Sequence, residues 1–208
     1  MKNLVIVGDG GFAREVEWLV ARINQVKPTW NLLGFIDKDE NKPKVIGNDD
    51  YIVNSKNELY VSIAIGDPKI RRKLYNIYKS NSRIKFANLI DPSVLLSEQI
   101  KLGEGNIICA GTILTVDISI GCCNLINLDC TVGHDVMIHD FVTVNPSVNV
   151  SGNVVLASGS FIGTGTQIIQ GITIGNNTVV GAGAVVNHDL PSDCTAVGVP
   201  ARVIKEKK

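Results

Sequence analysis

Three histidines occur in the 208 residues, His134, His139 and His188. Imidazole is the side chain that takes and returns a proton near neutral pH, so general-base chemistry is sought here first. His134 is followed directly by Asp135. A carboxylate beside an imidazole fixes its tautomer and raises its basicity. His134 also lies two residues after Val132, a member of a regular aliphatic series. If that series points inward, His134 points outward, onto a corner or flat face. The other reading is an exposed pair with no role. His139, after Ile138, reads as solvent-facing, and His188, in Asn187-His188-Asp189-Leu190-Pro191, as structural. Eighteen residues beyond His134 stands Gly152. A glycine over a base lets backbone approach a substrate closely, although corner geometry alone can also demand one. Asn127, seven residues before His134 and eighteen before Asn145, is placed either to position an acceptor or to serve in a turn or ladder.

A second constellation opens the chain. Gly8-Asp9-Gly10-Gly11-Phe12-Ala13 fits G-x-G-x-x-A between an apolar run and a helical pattern. In that setting backbone N–H groups and the helix N-terminus can cradle a diphosphate. Asp37 ends the next strand pattern, placed to meet a ribose or base. The motif alone would suggest NAD, but the rest of the chain offers no hydride chemistry. A UDP-linked sugar carries the same diphosphate. A tight turn that binds nothing is the bland alternative.

The elements that must position these residues change near residue 88. Before it, Leu4 to Val7 reads as a buried strand, and Phe12 to Val26 as a helix through Phe12, Val16, Leu19, Val20 and Ile23. Trp30 to Ile36 and Val61 to Ile65 read as further strands. Asp67-Pro68 opens a second helix whose apolar positions are Ile70, Leu74, Ile77 and Tyr78. Strands alternating with helices imply a parallel sheet.

After it the rule is a step of six. Ile90, Leu96, Leu102, Ile108, Leu114, Ile120, Ile126, Val132, Ile138, Val144, Val150, Leu156, Ile162, Ile168, Ile174, Val180 and Val186 are all Ile, Val or Leu, types that make up about a third of the chain. A small or β-branched residue commonly falls four positions later, as at Thr112, Cys130, Val136, Ser160 and Ala184. Period six fits neither a helix nor a flat sheet; it fits a parallel β-helix. Three hexads make a triangular coil of 18 residues, and Ile90 to Val186 supplies a little over five coils. The stacked aliphatic column gains about 0.8 kcal/mol per buried CH₂. Such an array needs caps. The N-terminal domain is expected over one end, and the tail Val199 to Ile204 folded over the other.

Composition excludes several classes. Lys plus Arg and Asp plus Glu are 20 each, so no basic excess points to nucleic acid or a membrane surface. No apolar run reaches membrane-spanning length, and the N-terminal run is too short for a signal segment, so the expected location is cytoplasmic. Cys109, Cys122, Cys123, Cys130 and Cys194 form no C-x-x-C and read as reduced, small buried hydrophobes. No metal site is expected.

The hexads, the terminal Gly198-Val199-Pro200-Ala201 and the N-terminal Gly-x-Gly-Gly-x-Ala-Arg-Glu together resemble the left-handed β-helix sugar acyltransferases. The nearest branch is that of PglD-like nucleotide-sugar N-acetyltransferases and sialic acid O-acetyltransferases. The resemblance implies an α/β Rossmann-like nucleotide-sugar-binding domain over residues 1–87, then a left-handed parallel β-helix acyltransferase domain with a C-terminal cap over 88–208. It implies a homotrimer with acetyl-CoA, as co-substrate, in clefts between neighbouring β-helices. It makes His134 the general base and Asp135 its acidic partner, one methylene shorter than the commoner Glu. It has Gly152 offer its N–H to the thioester carbonyl, an oxyanion contact worth about 2–4 kcal/mol. Gly10, Gly11, Phe12, Asp37, Lys38 and Gly66 match the family's sugar-nucleotide contacts, with Phe12 where a histidine is frequent. Thr143 stands where a second histidine contacts acetyl-CoA, and Thr164 and Ala182 lie along the acetyl-CoA path. The implied reaction is N-acetylation of a UDP-amino sugar. The alternatives are O-acetylation of a sialic acid or related sugar hydroxyl, and a non-catalytic trimeric scaffold or nucleotide-sugar sensor.

Overall fold

The structure is a computed structural model that describes residues 1–206. Lys207 and Lys208, the end of the expected second domain, lie outside the described residues. The first part runs β1 (Lys2–Val7), α1 (Gly11–Val26), β2 (Trp30–Ile36), β3 (Val45–Gly47), α2 (Asp49–Val53), β4 (Leu59–Ile63), α3 (Pro68–Tyr78) and β5 (Ile84–Phe86). These strands form one parallel sheet in the order β3-β2-β1-β4-β5. Sequence order runs outward from β1 in one direction and then resumes beside β1 with β4. The crevice beyond the carboxyl ends of β1 and β4 is therefore the topological switch point, where open α/β sheets bind ligands. The short β3, α2 and β5 have too few residues to show a period and were not anticipated. The third anticipated strand begins two residues earlier than expected, and its last positions, Ala64 and Ile65, run into the loop before α3.

The face of α3 also differs from expectation. It buries Arg71, Tyr75 and Tyr78, whereas Ile70 is 46% exposed. The polar tips find partners: Tyr75 Oη donates to Glu104 Oε1 at 2.7 Å, and Tyr78 donates to Asp49. Burial, with the adjacent carboxylates Glu104 and Asp49, pushes both phenols above their ordinary range. Ile70, Leu74 and Ile77 instead line a cleft beside the sheet.

From residue 89 the chain forms seventeen two-residue strands, β6 (Leu89–Ile90) to β22 (Val185–Val186), and each anticipated aliphatic residue is the second member of its pair. They stack in parallel with a register of 18 residues into three walls. Leu89, Ile107, Leu125, Thr143, Phe161 and Val179 lead the pairs of the first wall. Thr131 and Asn149 belong to the second wall, Met137 and Val155 to the third. Inside, the hexad aliphatics meet the residues four positions on, such as Val136, Val142, Val148 and Val154, in one continuous core. Both positions point inward, so small side chains fit where the coil narrows. The result is the left-handed parallel β-helix.

At the far end the tail behaves as anticipated. β23 (Cys194–Val197) continues the first wall, β24 (Arg202–Glu206) pairs antiparallel to it, and Ala201 is fully buried. The expectation for the near end is corrected. The N-terminal domain packs against the side of the prism, not over its end. Leu4, Ala13, Leu19 and Ala87 share a core with Leu89, Ile107 and Leu125, while Phe86 and Tyr75 share one with Cys123 and Phe141. The reason is chemical: the outward residues Leu89, Ile107 and Leu125 of the first wall are aliphatic and need cover, whereas Leu96 in the opening coil stays 44% exposed. Arg22 of α1 adds a bidentate ion pair to Asp91, at 2.6 and 3.0 Å.

Candidate active site

Val132 is fully buried, and the backbone turns outward after it. Residues at the third place past the aliphatic take left-handed backbone at this vertex: Asp117 (φ 56°), Asp135 (60°) and Asn153 (53°). Asp and Asn tolerate that conformation better than Glu, which gives a physical reason for the shorter acid at position 135. The shorter acid still reaches the ring. His134 Nδ1–H donates to Asp135 Oδ2 at 2.8 Å, which leaves Nε2 free to accept a proton. The imidazole side chain is 51% exposed on the vertex between the second and third walls.

Gly152 lies against this ring from the next coil. A Cβ built there would overlap Nε2 and fall 2.5 Å from Cε1. The bare glycine thus leaves the imidazole room to lie in this pose. Its coil neighbours spend their N–H groups on the ladder, Ser151 to Ile168 O at 3.0 Å and Asn153 to His134 O at 2.7 Å. Among the described residues, the Gly152 N–H donates to no protein acceptor. A base, its orienting acid and an unspent donor therefore meet at one point.

The residues expected at the nucleotide lie in the N-terminal domain, in the loops after β1, β2 and β4 and the first turn of α1. Gly10 caps α1 without any side-chain hydrogen bond, so the first-turn N–H groups of Gly11 and Phe12 face outward from the loop. Gly8 has φ 97°, and a Cβ there would press on Ala64 O at 3.3 Å. Asp37 and Lys38 follow β2 and, with Gly8, Asp49 and Ile65, line a cleft of about 550 Å³. Gly66 lies beyond β4 in the loop leading to α3. Sequence reasoning missed Lys42, whose ammonium sits 2.9 Å from Asp9 and 3.4 Å from Asp37. Burial alone would raise the Asp37 carboxyl. Hydrogen bonds from the Asp39 N–H and Lys42 outweigh it and hold the group below its ordinary value. No periodic signal marks this loop, so only the fold could find Lys42.

The remaining expected residues divide. Asn127 is buried on the vertex between the first and second walls, where its Oδ1 accepts from the Leu128 N–H at 2.8 Å. Thr164 and Ala182 are exposed on that same vertex, with the Gly183 N–H donating to Thr164 O at 2.8 Å. None of the three shares a vertex with His134. Thr143 needs correction as a cofactor contact: it is fully buried beneath the N-terminal domain, and its hydroxyl donates to Gly66 O at 2.8 Å. The thiols of Cys109 and Cys130 are pushed up by burial to about 12 and about 11, which makes them unreactive. Among the described residues no three His, Cys, Asp or Glu side chains are grouped to hold a metal ion. No helix among them is long and apolar enough to cross a membrane.

A vertex carrying His–Asp over a glycine, on a hexapeptide β-helix joined to a parallel α/β sheet, defines the class: a β-helix acyltransferase. Comparison with known proteins agrees. The PglD N-terminal domain matches residues 3–78, and the six-repeat bacterial transferase hexapeptide matches residues 153–188. A histidine-to-alanine form of GDP-perosamine N-acetyltransferase from Caulobacter crescentus, solved with CoA and GDP-perosamine, is 30% identical. The match covers 99% of this chain and 98% of that one, with a TM-score of 0.90. The acetyltransferase domain of PglB from Neisseria gonorrhoeae, solved with acetyl coenzyme A, is 28% identical over 98% of this chain and 99% of that one, with a TM-score of 0.89. A serine acetyltransferase from Synechococcus elongatus is 39% identical over 75 residues, 35% of this chain; the chain spans about a third (31%) of that enzyme's length. The chain belongs to the PglD-like family of left-handed β-helix sugar acetyltransferases, enzymes that draw their acyl group from acetyl-CoA.

Proposed function

We propose that this protein transfers an acetyl group from acetyl-CoA to the amino group of a nucleotide-activated amino sugar, with residues 1–87 holding the nucleotide and residues 88–208 performing the transfer. The observation that carries the reading is the exposed His134–Asp135 pair, with Gly152 kept bare beneath the ring. As the sugar nitrogen attacks the thioester carbon, His134 Nε2 takes its proton. Asp135 holds the imidazole in the needed tautomer and steadies the imidazolium. The Gly152 N–H meets the carbonyl oxygen as it gains charge. Collapse of the tetrahedral centre breaks the C–S bond, and the proton held on His134 passes to the departing thiolate. Asp135 thus serves the reaction by orienting the base.

The reading includes a homotrimer. The vertex that bears His134 is opposite the first wall, against which the N-terminal domain packs. A sugar held in the Gly8–Asp37 cleft of one chain would therefore meet the base of a neighbour. Asn127, Thr164 and Ala182 then border the pantetheine path from the neighbouring prism. The C. crescentus relative, solved with GDP-perosamine, makes GDP-linked amino sugars the natural competitor to UDP-linked ones.

The deciding experiment follows thiol release from acetyl-CoA with UDP-, GDP-, dTDP- and CMP-linked sugars, each offered with a free amine or with only hydroxyls. Turnover confined to amine acceptors supports the reading. Turnover with a hydroxyl acceptor replaces it by O-acetylation. No thiol release and no affinity for CoA would make the protein a scaffold or sensor.

A further inference from the structure

Arg71 is 2% exposed, and among the described residues it forms no ion pair with a carboxylate. A buried charge without a counter-ion is costly unless its donors are all satisfied. Here they are spent on backbone carbonyls. Nη1 donates to Ile65 O (2.8 Å) and Gly66 O (2.9 Å), in the loop between β4 and α3. Nε donates to Cys123 O (3.1 Å), and Nη2 to Phe141 O (3.1 Å) and Val142 O (3.0 Å). Those three carbonyls come from two successive coils at one vertex of the prism. One rigid guanidinium fork thus joins the loop to the β-helix, a geometry that lysine cannot reproduce. Burial lowers its pKa to about 10, which still leaves it charged at neutral pH.

Gly66 O accepts a second bond, from Thr143 Oγ1 at 2.8 Å. Both donors thus converge on the carbonyl of a glycine whose own surroundings are open, with nothing within 4 Å of a built Cβ. Without them the loop would have little to hold it. A plain apolar contact would glue the two domains as well; it would not fix where Gly66 sits along the wall.

We propose that Arg71 and Thr143 act together as a positioning clamp, which sets the height of the Gly66 loop on the first wall and so aligns the acceptor sugar with the base of the neighbouring chain. The clamp rests on the reaction proposed above. It reassigns Thr143 from cofactor contact to positioning residue.

The test measures steady-state kinetics and hydrogen exchange of residues 64–68 in the full-length protein. Thr143→Val removes one hydroxyl at nearly constant shape. It should raise KM for the nucleotide amino sugar about tenfold, leave KM for acetyl-CoA within about twofold, and speed exchange of the loop about tenfold at unchanged Tm. Thr143→Ser should restore all three. Arg71→Lys should exceed the Thr143→Val effect on the sugar KM; if that variant does not fold, the Thr143 pair decides alone. An unchanged sugar KM with unchanged loop exchange overturns the clamp, as does a uniform loss of kcat and Tm that serine does not repair. If the wild type turns over no nucleotide amino sugar, the reaction is wrong, and the loop-exchange result still judges the clamp by itself.

Discussion

The first wall of the prism and the vertex opposite it are built from the same hexad, yet they do different work. On the first wall the outward residues Leu89, Ile107 and Leu125 are aliphatic and disappear beneath the N-terminal domain. At the opposite vertex the outward residues His134 and Asp135 are half-exposed, with a glycine cleared for the ring. Inward residues are interchangeable between the two, since each supplies a rung of the same core. The hexad's inner side therefore dictates shape, and its outer side allots roles: cover on one face and, on the other, the exposed pair to which we assign the chemistry.

The contrast breaks most visibly at the exposed vertex. His134→Ala should lower kcat by about 10²–10⁴, the range for a lost general base, with Tm unchanged because the ring is exposed and packs on no core. Gly152→Ala, which drives a methyl into the imidazole, should cost a comparable part of kcat while leaving the fold in place. An active His134→Ala enzyme would remove the vertex from the chemistry altogether. The opposite signature belongs to the inner side: Ile126→Ala should cost about 2–5 kcal/mol in a denaturant titration, because a fully buried rung leaves a cavity. Leu96→Ala, in the uncovered first coil, should cost well under half of that. Equal losses at the two positions would mean that the open end is covered in solution.

The smallest effect sharpens the covered side. Burial pushes the Asp91 carboxyl upward, but hydrogen bonds from Arg22 and Ser93 outweigh it and hold the group at about 2. A carboxylate depressed in the folded state stabilises above its unfolded pKa, near 4, and that contribution fades as pH falls from about 4 toward 2. Tm measured between pH 5 and pH 2 should drop along that window in the wild type, and less steeply in Asp91→Asn.

Much of this was legible beforehand, for local reasons. A period of six along a single chain leaves no other regular packing, so every rung from Ile90 to Val186 fell into place. The Gly8–Ala13 motif leads from the end of β1 into the first turn of α1, as its spacing demands. The face of α3 is not legible in this way: aliphatic spacing marks Ile70 and Ile77, and nothing in a sequence announces that Arg71 will find five carbonyls. The placement of the N-terminal domain is illegible for a related reason: caps are expected at ends, but the outward aliphatics Leu89, Ile107 and Leu125 draw it to the side.

What the amino-acid order settles by itself is whatever one chain's local geometry obliges: the coil, the outward histidine, the glycine turn. Tertiary structure alone decided that Thr143 faces Gly66 and that Lys42 reaches Asp9. Both are contacts between segments separated by tens of residues, and the local pattern of neither segment encodes the other.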